Sequence, residues 1–335
     1  MDGTPVRTDE YLFWLGQTIS YMDQYNKAIG AGELDWESDM AGTTLKEFCL
    51  NDAMETAKLY ALIDKKATEL NVAMTAEQEA ELQTSLADTI EQMGGEEAFY
   101  NQLSRSGLTR EAFEHFNKVS YLYEGLQEHF FGAGGEKEPT DARMAEYIAE
   151  SDLLGAKHIL LLTVDMTNRD ATTGEYAKLD DATIAQKRTT AEDLLEQLRA
   201  SDDPQTLFDS LMKQYSEDSG LAANPNGYSF SAGEMVPAFE SATRLLEIGQ
   251  ISDIVESSYG YHIILRTNPD SQELREQYIS DGMNTMIDGW VTAATVETTD
   301  EYAKLDPKAF YEKLLAHQAE LDSQNQAESS PAPTN

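Results

Sequence analysis

The sequence has a single cysteine, Cys49, and that scarcity excludes a good deal. No intrachain disulfide can form and no cysteine cluster can hold zinc. Cys49 falls in the apolar pattern Leu45, Phe48, Cys49 and reads as a small buried hydrophobe. Basic residues are also few: 24 Lys and Arg stand against 61 Asp and Glu, a net charge of −37. Such a chain repels phosphate backbones and anionic lipid surfaces, which argues against nucleic acid as a partner. No apolar run approaches the ~18 residues that would span a bilayer, so no integral membrane segment is expected. The opening Met1-Asp2-Gly3-Thr4-Pro5 lacks the basic and apolar regions of a signal peptide, which leaves a cytoplasmic protein or one whose export signal has been trimmed. Of the five histidines, His115, His129 and His317 sit singly in polar helical stretches with no His-Glu-x-x-His pattern. Neither a metal centre nor a cofactor is expected.

What is present fills about two domains of ordinary size, on the scale of ~100–200 residues each. Residues 8–150 carry a helical pattern. Thr8 is placed to cap a helix whose apolar positions Tyr11, Leu12, Leu15, Ile19 and Met22 repeat at helical spacing. A second helix is predicted from Thr44 to Leu70. Thr75-Ala76-Glu77-Gln78 has the capping-box form and opens a third, which Gly94-Gly95 ends. A fourth starts at Thr109 and runs to about Phe130, and a short one follows over 140–150.

The pattern then changes. A buried strand is predicted from His158 to Val164, followed by a helix over 182–200 and another opened by Asp203-Pro204. A Gly/Asn/Pro loop over 220–227 leads to a strand at Tyr228–Ser231, a helix over 237–246, and strands at Asp253–Glu256 and Tyr261–Thr267. After Pro269 the helical period returns, and Asp306-Pro307 opens a last helix.

Three stretches in this half stand out: Ala156-Lys157-His158-Ile159-Leu160, Phe230-Ser231-Ala232-Gly233-Glu234-Met235-Val236-Pro237-Ala238-Phe239-Glu240, and Ser257-Ser258-Tyr259-Gly260-Tyr261-His262-Ile263-Ile264-Leu265-Arg266. Their order and content resemble the parvulin (PpiC, rotamase) family of peptidyl-prolyl cis/trans isomerases. With helices on both sides, the whole chain is similar to the extracytoplasmic SurA/PrsA-type foldases. The resemblance implies an α+β fold: a parvulin-like domain, a four-stranded antiparallel sheet with surrounding helices, inserted in an all-α chaperone domain. It divides the chain into an N-terminal helical region over 1–152, an isomerase domain over 153–269 and C-terminal helices over 270–321 that pack with the N-terminal region; the Ser, Gln, Asn, Pro and Ala-rich composition of 322–335 predicts a disordered tail.

Residue by residue, the resemblance puts His158 and His262 at the paired histidines and Ser257 at the hydroxyl that bonds one of them. Asp218, in Tyr215-Ser216-Glu217-Asp218-Ser219, falls where parvulins carry cysteine or aspartate. Met235 and Phe239 match the lining of the proline pocket. One departure is clear: where many parvulins have Gly-Gly-Asp-Leu-Gly, this chain has Asn224-Pro225-Asn226-Gly227-Tyr228, so Tyr228 is expected to stand in part for the missing leucine wall. The loop from Asp165 to Asp181 carries only Arg169 and Lys178 against several acids, and phosphoserine-proline specificity, which needs clustered cations, is not expected.

The expected function is isomerisation of X-Pro bonds, without covalent chemistry, in unfolded or partly folded exported clients, coupled to chaperoning. Its competitor is a binding-only chaperone whose parvulin domain has lost catalysis. The resemblance implies an extracytoplasmic place, secreted or lipid-anchored through a cysteine upstream of this chain, and the sequence is compatible with a homodimer.

Overall fold

The computed structural model describes residues 5–329, with side chains through residue 324. Two compact units divide the chain: one of Met1–Glu138 with Ile279–Asn335, the other of Pro139–Tyr278.

The first unit is helical. It opens with α1 (Thr8–Ala28), α2 (Leu45–Glu69), α3 (Ala76–Gln92), α4 (Glu96–Arg105) and α5 (Arg110–Phe131). Capping fixes several of these starts. The Thr44 and Thr75 side chains accept from the amides of Glu47 and Gln78, whose side chains accept in turn from the cap amides. Thr8 is the first helical residue rather than the cap. Arg7 takes the cap position without a side-chain cap bond and instead pairs with Asp9 and Glu10 in the first turn at 2.8 and 2.9 Å. Helix α4 was not foreseen, because a stretch between two glycine breaks offers only the anchors Phe99 and Leu103, which are buried with Leu86.

Tyr11, Leu15 and Ile19 of α1 pack on Cys49, Ala53 and Ala57 of α2. The last three are spaced by four, so this stretch of α2 presents small side chains to α1, with the buried Leu45 one turn before them. Cys49 is fully buried, as its apolar setting suggested. His115 of α5 is held between Asp64, 2.5 Å from Nε2, and the buried Glu10, 2.7 Å from Nδ1. The second contact is not aligned as a hydrogen bond and acts through charge.

The second unit begins with α6 (Asp141–Glu150) and β1 (Leu154–Leu162), and continues through β2 (Val164–Arg169), β3 (Tyr176–Lys178), α7 (Asp181–Ala200), α8 (Pro204–Tyr215), β4 (Tyr228–Phe230), α9 (Pro237–Leu245), β5 (Val255–Glu256) and β6 (Gly260–Thr267). Its main sheet has the order β4-β1-β6-β5, antiparallel throughout. Both faces are covered. Ile159, Leu161, Tyr261, Ile263 and Leu265 point to α7 and α8, and Leu154, Ala156 and Ile264 pack with Phe230 and Phe239 on the side of α9. Burial on two faces explains why β1 reads as a nearly continuous apolar run instead of an alternation.

Two segments differ from expectation. Strand β1 starts at Leu154, four residues before His158, because Leu154 to Ala156 pair with β4. The Asp165–Asp181 loop contains a hairpin of β2 and β3, closed by a turn in which Asp170 Oδ1 accepts from the amides of Thr172 and Thr173 at 2.7 and 2.8 Å.

The chain returns to the first unit along α10 (Gln272–Ala293) and ends with α11 (Asp300–Ala303) and α12 (Pro307–Ser329). Of the expected tail over 322–335, residues 330–335 lie outside the described residues, whereas residues up to Ser329 extend α12. Glu, Gln and Ala are good helix formers, and lengthening an existing helix avoids the cost of nucleation. Among the described residues no helix is long and apolar enough to cross a membrane.

Candidate active site

The register of β1 on β6 makes the site. His158 lies opposite Ile264 and Leu160 opposite His262, so the two histidines are diagonal neighbours on one face of the sheet. Their Nδ1 atoms are 3.1 Å apart and the rings stack at an interplanar angle of 16°. Both are buried, His262 the more deeply.

A strap at the end of α8 brings Asp218 to this pair. The Leu160 amide donates to Ser216 Oγ at 3.1 Å, the Glu217 amide to Leu160 O at 2.8 Å, and the Leu162 amide to Glu217 Oε2 at 2.8 Å. Laced to β1 in this way, the next residue sets Asp218 Oδ2 2.9 Å from His158 Nε2. Tyr228 of β4 donates to the same oxygen at 2.5 Å, and the Gly220 amide donates to Oδ1 at 2.9 Å. At the other end, a turn over Ser257–Gly260, closed by the Ser257 amide on Gly260 O at 2.9 Å, aims Ser257 Oγ at His262 Nε2, 2.7 Å away. Gly260 has φ +155, and a Cβ there would sit 2.1 Å from Leu161 O, so only glycine fits between the strands at this point.

When both rings are neutral, these contacts assign every proton. An ionised carboxylate only accepts, so His158 Nε2–H donates to Asp218. In neutral His158, Nδ1 then holds the lone pair and accepts from His262 Nδ1–H. His262 Nε2 is left to accept from Ser257 O–H, and Ser257 Oγ accepts the Tyr259 amide at 3.1 Å. The result is one unbroken, one-directional chain from Tyr259 to Asp218. Electrostatics agree with it. The hydrogen bond from His158, with those from Tyr228 and Gly220, holds the Asp218 carboxyl well below the usual carboxylate range in spite of burial. Burial lowers His262 to about 3, and a proton on His158 would act in the same direction, so the His262 ring is neutral at ordinary pH. Burial and the adjoining carboxylate push the Tyr228 phenol up to about 12, leaving it a proton donor.

Above the pair, the Phe239 ring meets His158 edge-on with centroids 5.2 Å apart and His262 at 5.5 Å. Tyr228 stands perpendicular to His158 at 5.8 Å. Met235 and Tyr228 are half-buried at the margin of the same apolar cluster, in which Phe239 is buried. The seven residues singled out in the sequence thus occupy one place on the sheet. Ser216, Glu217 and Gly220 were not foreseen; the only hint was a run of short polar residues just past a helix end. His115, His129 and His317 all belong to the helical unit. The described residues contain no group of three His, Cys, Asp or Glu side chains able to hold a metal ion.

Residues 158–268 match the family described as the Rotamase PPIC-type PPIASE domain. A foldase protein PrsA of Halalkalibacterium halodurans is 43% identical over 100 residues, 29% of this chain and 29% of that protein. The foldase protein PrsA of Oceanobacillus iheyensis is 31% identical over 237 residues, 69% of this chain and 67% of that protein. A crystal structure of a peptidylprolyl isomerase (PrsA) from Bacillus cereus aligns with 84% of this chain and 98% of its own at 22% identity and a TM-score of 0.31. The antiparallel sheet with its covering helices is therefore a parvulin-type peptidyl-prolyl isomerase unit. The chain as a whole belongs to the PrsA foldase family.

Proposed function

We propose that the chain accelerates cis/trans isomerisation of X-Pro bonds in unfolded polypeptides outside the cytoplasm, and that the helices flanking residues 153–269 hold those clients. The observation that carries the catalytic part is the closed hydrogen-bond chain beneath Phe239, which leaves neither histidine a free site for proton exchange. Proton transfer is not required. Rotation about a prolyl bond is slow because amide resonance imposes a barrier of ~18–20 kcal/mol, and a thousandfold acceleration needs only ~4 kcal/mol of preference for the twisted amide.

Each group has a role in that preference. Met235, Phe239 and Tyr228 form apolar walls for the pyrrolidine ring. The fixed histidine pair shapes the floor below them. Asp218, ionised throughout the working range, disfavours the charge-separated planar amide when the substrate carbonyl lies near it. Phosphate before the proline is not favoured. Arg169 is already engaged, its Nε on Gly174 O at 2.7 Å and its guanidinium over Tyr176, which leaves Lys178 as the other cation of the hairpin. The net charge of −37 suits basic clients and keeps the protein soluble.

An NMR exchange or protease-coupled assay on unphosphorylated X-Pro peptides tests this reading. Wild-type acceleration that is lost in Asp218→Ala and Met235→Ala supports it. A folded protein with no acceleration on any peptide would make the chain a binding-only chaperone.

A further inference from the structure

Tyr228 does something that a leucine wall could not. Its hydroxyl shares Asp218 Oδ2 with His158 Nε2, and the Gly220 amide occupies Oδ1, so three donors converge on one carboxylate. The phenol reaches it by passing over Gly220, where an added Cβ would stand 2.3 Å from Tyr228 Oη. Gly220 is not among the residues with left-handed backbone, so its own conformation does not call for glycine. The missing side chain makes room for the hydroxyl. Once the hydroxyl is removed, the nearest remaining contacts of such a Cβ, 3.4 Å to Asp218 Oδ1 and 3.5 Å to Tyr228 Cζ, are ordinary.

We propose that Tyr228 and Gly220 form a positioning pair for Asp218: the phenol fixes the carboxylate's rotation and takes one lone pair of Oδ2, leaving the other aimed at His158 Nε2–H. The pair acts through Asp218 and so holds the accepting end of the hydrogen-bond chain in place. This rests on the isomerase reading above for its catalytic consequence, and on geometry alone for the positioning itself. A wall needs only the ring, which phenylalanine would retain.

The test uses the full chain with Tyr228→Phe, Gly220→Ala and the double variant. In Tyr228→Phe the low-field resonance of the His158 Nε2 proton is expected to move downfield, because the remaining donor has Oδ2 to itself, and kcat/KM on an X-Pro peptide falls about tenfold. Gly220→Ala lowers the urea midpoint when Tyr228 is present and leaves it nearly unchanged in the Tyr228→Phe background. A resonance that stays in place, or a Gly220→Ala cost equal in both backgrounds, would reduce Tyr228 to a wall and overturn the proposal. A wild-type protein without isomerase activity would refute the proposed function instead, and the resonance and the stability cycle would still decide on the pair.

Discussion

Acidification should weaken the isomerase unit through one proton, the one that His262 is denied. The ring is buried between the sheet and Phe239, and its pKa falls to about 3 from an ordinary 6.5. Between those values the unfolded chain binds a proton that the native one does not, so stability rises with pH and is lost as pH falls through the window. Each pH unit is worth ~1.4 kcal/mol. From pH 6.5 to 4.5 the loss traced to His262 is then on the order of 2–3 kcal/mol. At a urea slope of ~1–2 kcal/mol/M this lowers the midpoint by roughly 1–2 M. Carboxylates titrate over part of the same range, so the informative quantity is the difference from His262→Gln, which has no proton to bind. Far-UV circular dichroism is the suitable probe, since Trp14, Trp36 and Trp290 all lie in the helical unit and the unit that holds the sheet has no tryptophan of its own. Parallel loss of stability in the two proteins, or a native His262 ring that titrates near 6.5 by NMR, would refute the reasoning.

Other substitutions separate the parts of the site. Asp218→Ala leaves the buried His158 Nε2–H without an acceptor and should cost ~1–3 kcal/mol as well as activity, readable from urea midpoints beside the peptide assay. Phe239→Ala opens a cavity over both histidines and should cost ~3–5 kcal/mol; Met235→Ala, at a half-buried margin, should reduce turnover with under ~1.5 kcal/mol lost. Equal stability losses in those two would contradict their assigned depths. In the helical unit, the hydrogen bond to Asp64, with the charges of Asp64 and Glu10, raises the His115 pKa despite burial. Its contribution is therefore complete below the ordinary histidine value and is lost as pH rises through the raised one. The stability gap between wild type and His115→Gln, followed by tryptophan emission, should shrink as pH rises above the ordinary histidine value.

The candidate site was legible because its chemistry lies in short blocks. His158, Met235, Phe239, Ser257 and His262 could be found from their neighbours in sequence, and Asp218 from the run that follows α8. The partners of Asp218 were hidden for a physical reason. Tyr228 read as a wall because an aromatic residue in a strand ordinarily packs, and only the fold shows its hydroxyl crossing Gly220 to a residue ten positions earlier. The β2–β3 hairpin was hidden too, since its strands are polar and short and their turn is held by the Asp170 side chain instead of a glycine dipeptide.

By itself the sequence determined where helices start, through Thr44, Thr75, Thr109 and Asp203, and which strands are buried. These are local matters: a cap bonds three residues away, and an apolar run shows its burial wherever it packs. It also determined the acidic character of the chain and the absence of any cysteine pair. The tertiary structure decided the rest. The pairing of β1 with β6 brought together two histidines 104 residues apart, and the strap at the end of α8 supplied the carboxylate. The direction of the proton chain follows from that assembly alone, because no histidine carries its tautomer in its sequence; the acceptor it meets in the fold selects it.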